Sequence, residues 1–146
     1  MPLGISLMCS RIAPSATLAL DENVKALRAR GEKVVSFGAG EPDFDTPENV
    51  RRAACDAVAQ GMTRYTPVGG TPELKTAIID KLRRDNGLSY TPREIIVSNG
   101  AKHALSGLFQ TILNPGDEVL IPAPCWVSYP EMVRMAGGVP VLVPTS

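Results

Sequence analysis

Apolar positions recur along the chain with two periods, and proline and glycine separate the blocks. In "SATLALDENVKALRARG" (15–31), Leu20, Val24 and Leu27 fall on one face, basic residues gather late and Gly31 follows, which predicts an amphipathic helix. "KVVSF" (33–37) predicts a short strand and "GAGEPDFDTP" (38–47) a loop. Thr46-Pro47-Glu48 predicts a helix start, with threonine as cap, proline in the first turn and glutamate at the positive helix end. That helix runs to Gln60, stops at Gly61, and has a thin apolar face of Val50, Ala53, Ala54, Ala57 and Val58. Thr71-Pro72-Glu73 opens the next, with Leu74, Ile78 and Leu82 inward and Asn86-Gly87 at its end. Thr91-Pro92-Arg93-Glu94 has capping-box spacing, but the apolar run Ile95–Val97 follows directly, so one turn and a strand over 95–98 are expected.

The remainder alternates: a helix over about 102–113, the turn Asn114-Pro115-Gly116, a strand over about 118–122, a mostly helical "WVSYPEMVRMAGG" and a strand over about 139–143. Strands separated by helices call for crossover connections. The pattern therefore predicts an α/β fold with three parallel strands in one sheet and helices flanking it. Runs as apolar as Ile95–Val97 and Val119–Ile121 suit strands buried on both faces.

Composition narrows the function. The 146 residues carry 15 basic and 15 acidic side chains, so nothing steers the chain towards nucleic acid or an acidic membrane surface. No apolar run reaches membrane-spanning length, and "MPLGISLMCS" lacks the basic flank and long apolar core of a signal peptide. Cys9, Cys55 and Cys125 are far apart and form no C-x-x-C pair, which fits a reduced cytoplasmic protein without structural disulfides or zinc. His103 is the only histidine, which excludes a His-rich metal site.

The stretch "EIIVSNGAKHALSGLF" (94–109) carries the first candidate chemistry. An apolar run ends in Ser98-Asn99-Gly100 and a helical pattern starts at once. In open α/β sheets, ligands sit beyond the carboxyl ends of the strands, and a helix N-terminus there favours an anion. Gly100 and Ala101 present almost no side chain, so a phosphate could approach the backbone. A tight turn without a ligand has the same sequence signature, and neither standard glycine-rich nucleotide fingerprint is present.

Four motifs, "FGAGEPDFDTP", "TRYTPVGGTPELKTAI", "IIVSNGAKHAL" and "PAPCWVSYPEM", occur in order. Together they resemble the N-terminal part of the class I, fold-type I aminotransferases that use pyridoxal 5′-phosphate (PLP), in particular the aspartate aminotransferase-like subgroup, some of whose members also use prephenate. The resemblance covers residues 10–146. It implies that the backbone amides of Ala101 and Lys102 bind the PLP phosphate and that Trp126 stacks on the cofactor ring beside the substrate. It also implies that the Gly40 backbone meets the substrate α-carboxylate, a role Gly38 could fill equally well, and that Tyr65 reaches the PLP phosphate of a partner subunit in a homodimer. Cys125 departs from the pattern, since related sequences often carry tyrosine there.

By the same resemblance, residues 1–46 would form the N-terminal arm, the helix and strand of the small domain and a substrate loop. Residues 47–146 would begin the PLP-binding large domain. The implied reaction moves an amino group between an amino acid, aspartate first, and a 2-oxo acid such as 2-oxoglutarate. None of Lys25, Lys33, Lys75, Lys81 and Lys102 lies in the family's Schiff-base motif, which comes much later in its members. The chain is therefore expected to be an N-terminal fragment without a catalytic lysine and inactive alone. Two alternatives stay open: a non-catalytic remnant serving as a binding module, and an unrelated α/β nucleotide-binding domain, against which the missing glycine fingerprint counts.

Overall fold

The computed structural model of the chain describes residues 4–38 and 40–145; Ala39, within the expected loop 38–47, lies outside them. The chain divides into two compact units, one made of Met1–Gly40 with Gly100–Ser146 and the other of Glu41–Asn99.

The first unit is built on a β–α–β core. Strand β1 (Glu118–Ala123) pairs in parallel with β2 (Val139–Pro144), in register from Glu118 opposite Val139 to Ala123 opposite Pro144. Helix α5 (Ser128–Met135) crosses between them and packs on both strands. Met132 and Val133 of α5 and Ile121 of β1 are buried, Val133 completely. Gly137 (φ +86°) ends α5 in the left-handed region that glycine tolerates. Gly138 is then seated so closely that a Cβ would come within 3.0 Å of both Leu113 Cδ1 and Val133 Cγ1. Helix α4 (Gly100–Ile112) packs on α5. The turn after it is fixed by Asp117, whose Oδ2 accepts from the Asn114 backbone N–H (2.7 Å). Helix α1 (Ala16–Ala29) is capped by Ser15, whose hydroxyl oxygen accepts from Leu18 N–H, and buries Val24. Leu20, expected inward, is 47% exposed.

The second unit holds α2 (Glu48–Ala59), α3 (Pro72–Asn86) and the capped turn Pro92–Glu94. Helix α3 has the expected start and stop: the Thr71 side chain accepts from Leu74 N–H, and Gly87 closes the helix at φ +66°. Its buried residue is Ile79; Ile78 and Leu82 are half-buried, whereas Leu74, expected inward, is exposed. Thr46 does not cap α2. The N-cap position falls on Pro47 and no side chain serves it. None of the expected apolar face of α2 is buried, and only Ala57 is half-covered.

Three strand expectations are corrected. Residues 95–98 are extended but form no strand. A ladder needs a neighbouring strand, and Val97 N–H instead donates to Gly69 O (3.0 Å) in a loop. Gly70 (φ +102°) makes that docking possible, because a Cβ there would lie 2.5 Å from Val97 Cγ2. "KVVSF" likewise forms no ladder; Arg28 donates to Val34 O, while Val35 and Phe37 stay exposed. The described sheet thus has two strands rather than three. Nor is it buried on both faces: α5 covers one side, and among the described residues nothing closes over Leu120 of β1, which is 68% exposed. Among the described residues, no helix is long and apolar enough to cross a membrane, and no group of three metal-ligating side chains comes together.

Candidate functional site

The opening of α4 and the β1–α5 connection meet in the first unit. Gly100, the first residue of α4, has φ +81°, a conformation that disfavours any side chain, while a Cβ there would meet nothing within 4 Å. The position therefore needs glycine for its backbone and also leaves open space beside it. The first N–H groups of an α-helix have no carbonyl one turn earlier to accept them, and Ala101 and Lys102 supply two of these. Asn99 and His103, on either side, each make an interaction within the chain.

Trp126 stands just before α5, after a cis Ala123–Pro124 peptide bond. Its ring is 41% exposed, and Lys102 Nζ lies 5.6 Å from the ring centroid. An ammonium at that distance over an indole is a cation–π contact, worth about 0.5–1 kcal/mol when exposed. Ala101, Lys102 and Trp126 are thus brought together: a helix start that offers donors, a cation and an aromatic face.

Next to them lies a groove of about 520 Å³. Residues 12–16 form one wall, Lys102 and Ser106 of α4 contribute one turn apart, and Ser128, Glu131, Met132 and Met135 of α5 complete it. Those α5 positions fall at i, i+3, i+4 and i+7, so a single helix face lines the groove. Glu131 accepts from Ala13 N–H (3.1 Å) and pairs with Arg134.

Gly40 and Tyr65 are not among the residues lining this groove. Gly40 is exposed at the end of its segment, and a Cβ added there would meet nothing within 4 Å, whereas a Cβ on Gly38 would approach Leu20 Cδ2 to 2.8 Å. Of the two glycines, Gly38 is the one crowded by its own chain. Tyr65 belongs to the other unit and is fully exposed. Of the five lysines, Lys25 pairs with Asp21 (2.7 Å), Lys75 donates to Pro92 O (3.2 Å) and Lys81 to Asn86 Oδ1 (2.8 Å), while Lys102 lies over Trp126. Among the described residues, two groups have shifted ionisation, and neither lines the groove. A side-chain hydrogen bond to Asp21 raises the Lys25 pKa, and the Thr91 backbone N–H lowers that of Glu94.

The residues present fit a flat aromatic phosphate: amide donors at an uncluttered glycine turn for the anion, and an exposed aromatic face for the ring. Sequence reasoning missed Glu131 and Ser106. Their helical spacing was readable, but the segment they face lies far away in sequence.

The family described as aminotransferase class I and II matches residues 32–146. The aspartate aminotransferase of Bacillus sp. (strain YM-2) is 59% identical over 132 residues, covering 90% of this chain and 34% of the relative. A probable aspartate/prephenate aminotransferase of Thermus aquaticus is 56% identical over 142 residues, 97% of this chain and 37% of the relative. Among solved structures, the aspartate aminotransferase of Thermus thermophilus with maleate superposes with a TM-score of 0.93 at 55% identity, covering 99% of this chain and 38% of that one. The aspartate aminotransferase of Rhizobium meliloti gives 0.93 at 45% identity, with 99% and 36% covered. The chain spans about a third of the length of the curated relatives it matches. With its α/β build, parallel strand pair and glycine-started helix beside an aromatic face, the chain belongs to the class I and II aminotransferase family, with the fold-type I architecture of its aspartate aminotransferase relatives.

Proposed function

We propose that these residues are the cofactor-cradling part of a PLP-dependent aminotransferase that moves an amino group between aspartate and a 2-oxo acid such as 2-oxoglutarate. The single observation behind this reading is the meeting of the α4 start with Trp126, bridged by Lys102 at 5.6 Å from the ring. When bound, PLP supplies an electron sink that lets a bond at the substrate Cα break. The residues of this chain do the holding. The amides of Ala101 and Lys102 would take the phosphate, Trp126 would fix the ring plane and shield one side from water, and Gly40 would offer its backbone to the substrate α-carboxylate. Tyr65, fully exposed, would serve the phosphate of a second subunit in a homodimer. Residues 1–46 would belong to the arm, small domain and substrate loop, and 47–146 to the start of the large domain, in a cytoplasmic enzyme.

Magnitudes limit what this part does alone. A helix start contributes about 0.3–1 kcal/mol, up to about 2 when partly buried, and stacking about 0.5–1.5. Micromolar affinity needs about 8 kcal/mol. Residues 1–146 by themselves would therefore hold PLP no more tightly than on the order of millimolar and would not turn over, having no lysine placed for the chemistry. The test is conversion of aspartate and 2-oxoglutarate to oxaloacetate and glutamate by the protein as expressed from its gene, with PLP added. PLP-dependent turnover supports the reading; a folded protein that carries the Schiff-base lysine after residue 146, binds PLP and exchanges no amino group refutes it.

A further inference from the structure

Glu131 does more than pair with its helix neighbour. Its side chain is 21% exposed, against 41% for Arg134. One oxygen pairs with Arg134 Nη1 within α5. The other leaves the helix and accepts from the backbone N–H of Ala13 (3.1 Å), across 118 residues of sequence. Ala13 lies in the link between the turn Cys9–Arg11 and α1, beside Pro14, which has no N–H to donate. Residues 12–15 of this link, with Ala16, line the groove together with Lys102 and Ser106. Helix α5 also packs against the Cys9–Arg11 turn, so the link is flanked by the element that carries Glu131.

We propose that Glu131 is a positioning residue. Its carboxylate latches the Ala13 backbone to α5 and so holds residues 12–16 as a wall of the groove, setting the width available to a small substrate beside Trp126. What the groove holds rests on the aminotransferase reading; the latch does not. Arg134 steers the latch by fixing one carboxylate oxygen, which leaves the other aimed at Ala13.

Two variants separate latching from general support of α5. Glu131→Ala removes the acceptor, while Glu131→Gln keeps a side-chain carbonyl for Ala13 N–H and loses only the charge. Amide hydrogen exchange is read by NMR on the protein as expressed from its gene. In Glu131→Ala, exchange at Ala13 should rise about tenfold or more, with α5 amides unchanged, and Glu131→Gln should stay within about threefold of the parent. With aspartate as substrate, Glu131→Ala should raise KM about tenfold with kcat within about twofold, and Glu131→Gln should restore most of the loss. Unchanged Ala13 exchange in Glu131→Ala, or acceleration along all of α5 in both variants, would overturn the proposal. A parent protein that carries the Schiff-base lysine after residue 146 and shows no turnover refutes the aminotransferase reading, and the exchange result at Ala13 then decides the latch independently.

Discussion

Replacing Gly138 by alanine tests the packing that orients α5, and with it the groove. Gly138 is buried and its φ is not positive, so an alanine backbone is allowed there and only space opposes it. The new methyl would stand 3.0 Å from Leu113 Cδ1, 3.0 Å from Val133 Cγ1 and 3.1 Å from Asp117 O. The two side chains can give by a few tenths of an ångström. Asp117 O cannot shift freely, because it accepts from Val139 N–H (2.8 Å) at the start of β2. Overpacking of this kind costs about 1–3 kcal/mol. The fixed carbonyl places Gly138→Ala in the upper half of that range. Val133→Ala alone removes two buried methyl groups, about 1.6 kcal/mol at about 0.8 each, and leaves a cavity that brings the cost to about 2–3. In the double variant the added methyl enters the space Val133 vacates, while its contacts with Leu113 and Asp117 persist. The pair should therefore be less destabilised than the sum of the singles, by about 1 kcal/mol. Urea unfolding of the parent, both singles and the double, followed by circular dichroism, measures the cycle. Additive effects, or a Gly138→Ala variant within about 0.5 kcal/mol of the parent, would show that the seat is not tight.

Trp126→Ala should weaken binding of pyridoxine 5′-phosphate about 2- to 13-fold, the equivalent of about 0.5–1.5 kcal/mol of stacking, and Trp126→Phe should recover most of it; equal affinities by equilibrium dialysis would remove the stacking role. Incubation with PLP followed by borohydride should label no lysine of residues 1–146 stoichiometrically, because Lys25, Lys75 and Lys81 are engaged elsewhere, Lys102 lies over Trp126, and none of these or Lys33 lies in the Schiff-base motif that the resemblance implies; specific labelling of Lys102 in a peptide map would contradict this. The Glu94 carboxyl is held below the ordinary glutamate value, first by the Thr91 backbone N–H, so its ionised form is favoured in the folded state. Its contribution should be full above the ordinary value and fade as pH falls through the lowered one, and Glu94→Gln should flatten that acid-side loss in pH-dependent unfolding.

The sequence revealed helices best where caps and stops are local. Thr71 with Gly87, and Thr91 with Glu94, act within a few residues of themselves and are found in the structure as read; Ser15 caps α1 in the same local way. It misled where an element needs a distant partner. Residues 95–98 and "KVVSF" have the composition of strands, but a strand exists only against a neighbour, and here Val97 docks on the Gly69 loop instead. Nothing in the sequence marks Gly70 as a close approach, and only Val97 shows why no side chain fits there. At the site, the glycine turn of α4 was legible because backbone geometry and helix start are coded side by side. The Lys102–Trp126 contact and the Glu131–Ala13 bond were not, since each joins residues that only the fold brings together.

The most direct test of the cofactor cradle is an amide NMR titration of residues 1–146 with pyridoxine 5′-phosphate, which carries the phosphate and ring of PLP without its lysine-reactive aldehyde. The backbone signals of Ala101 and Lys102 and the indole N–H of Trp126 should move most and saturate together, at ligand concentrations on the order of millimolar. Shifts centred elsewhere, or an unmoved Ala101 and Lys102 at saturation, would contradict the assignment of the α4 start as the phosphate site.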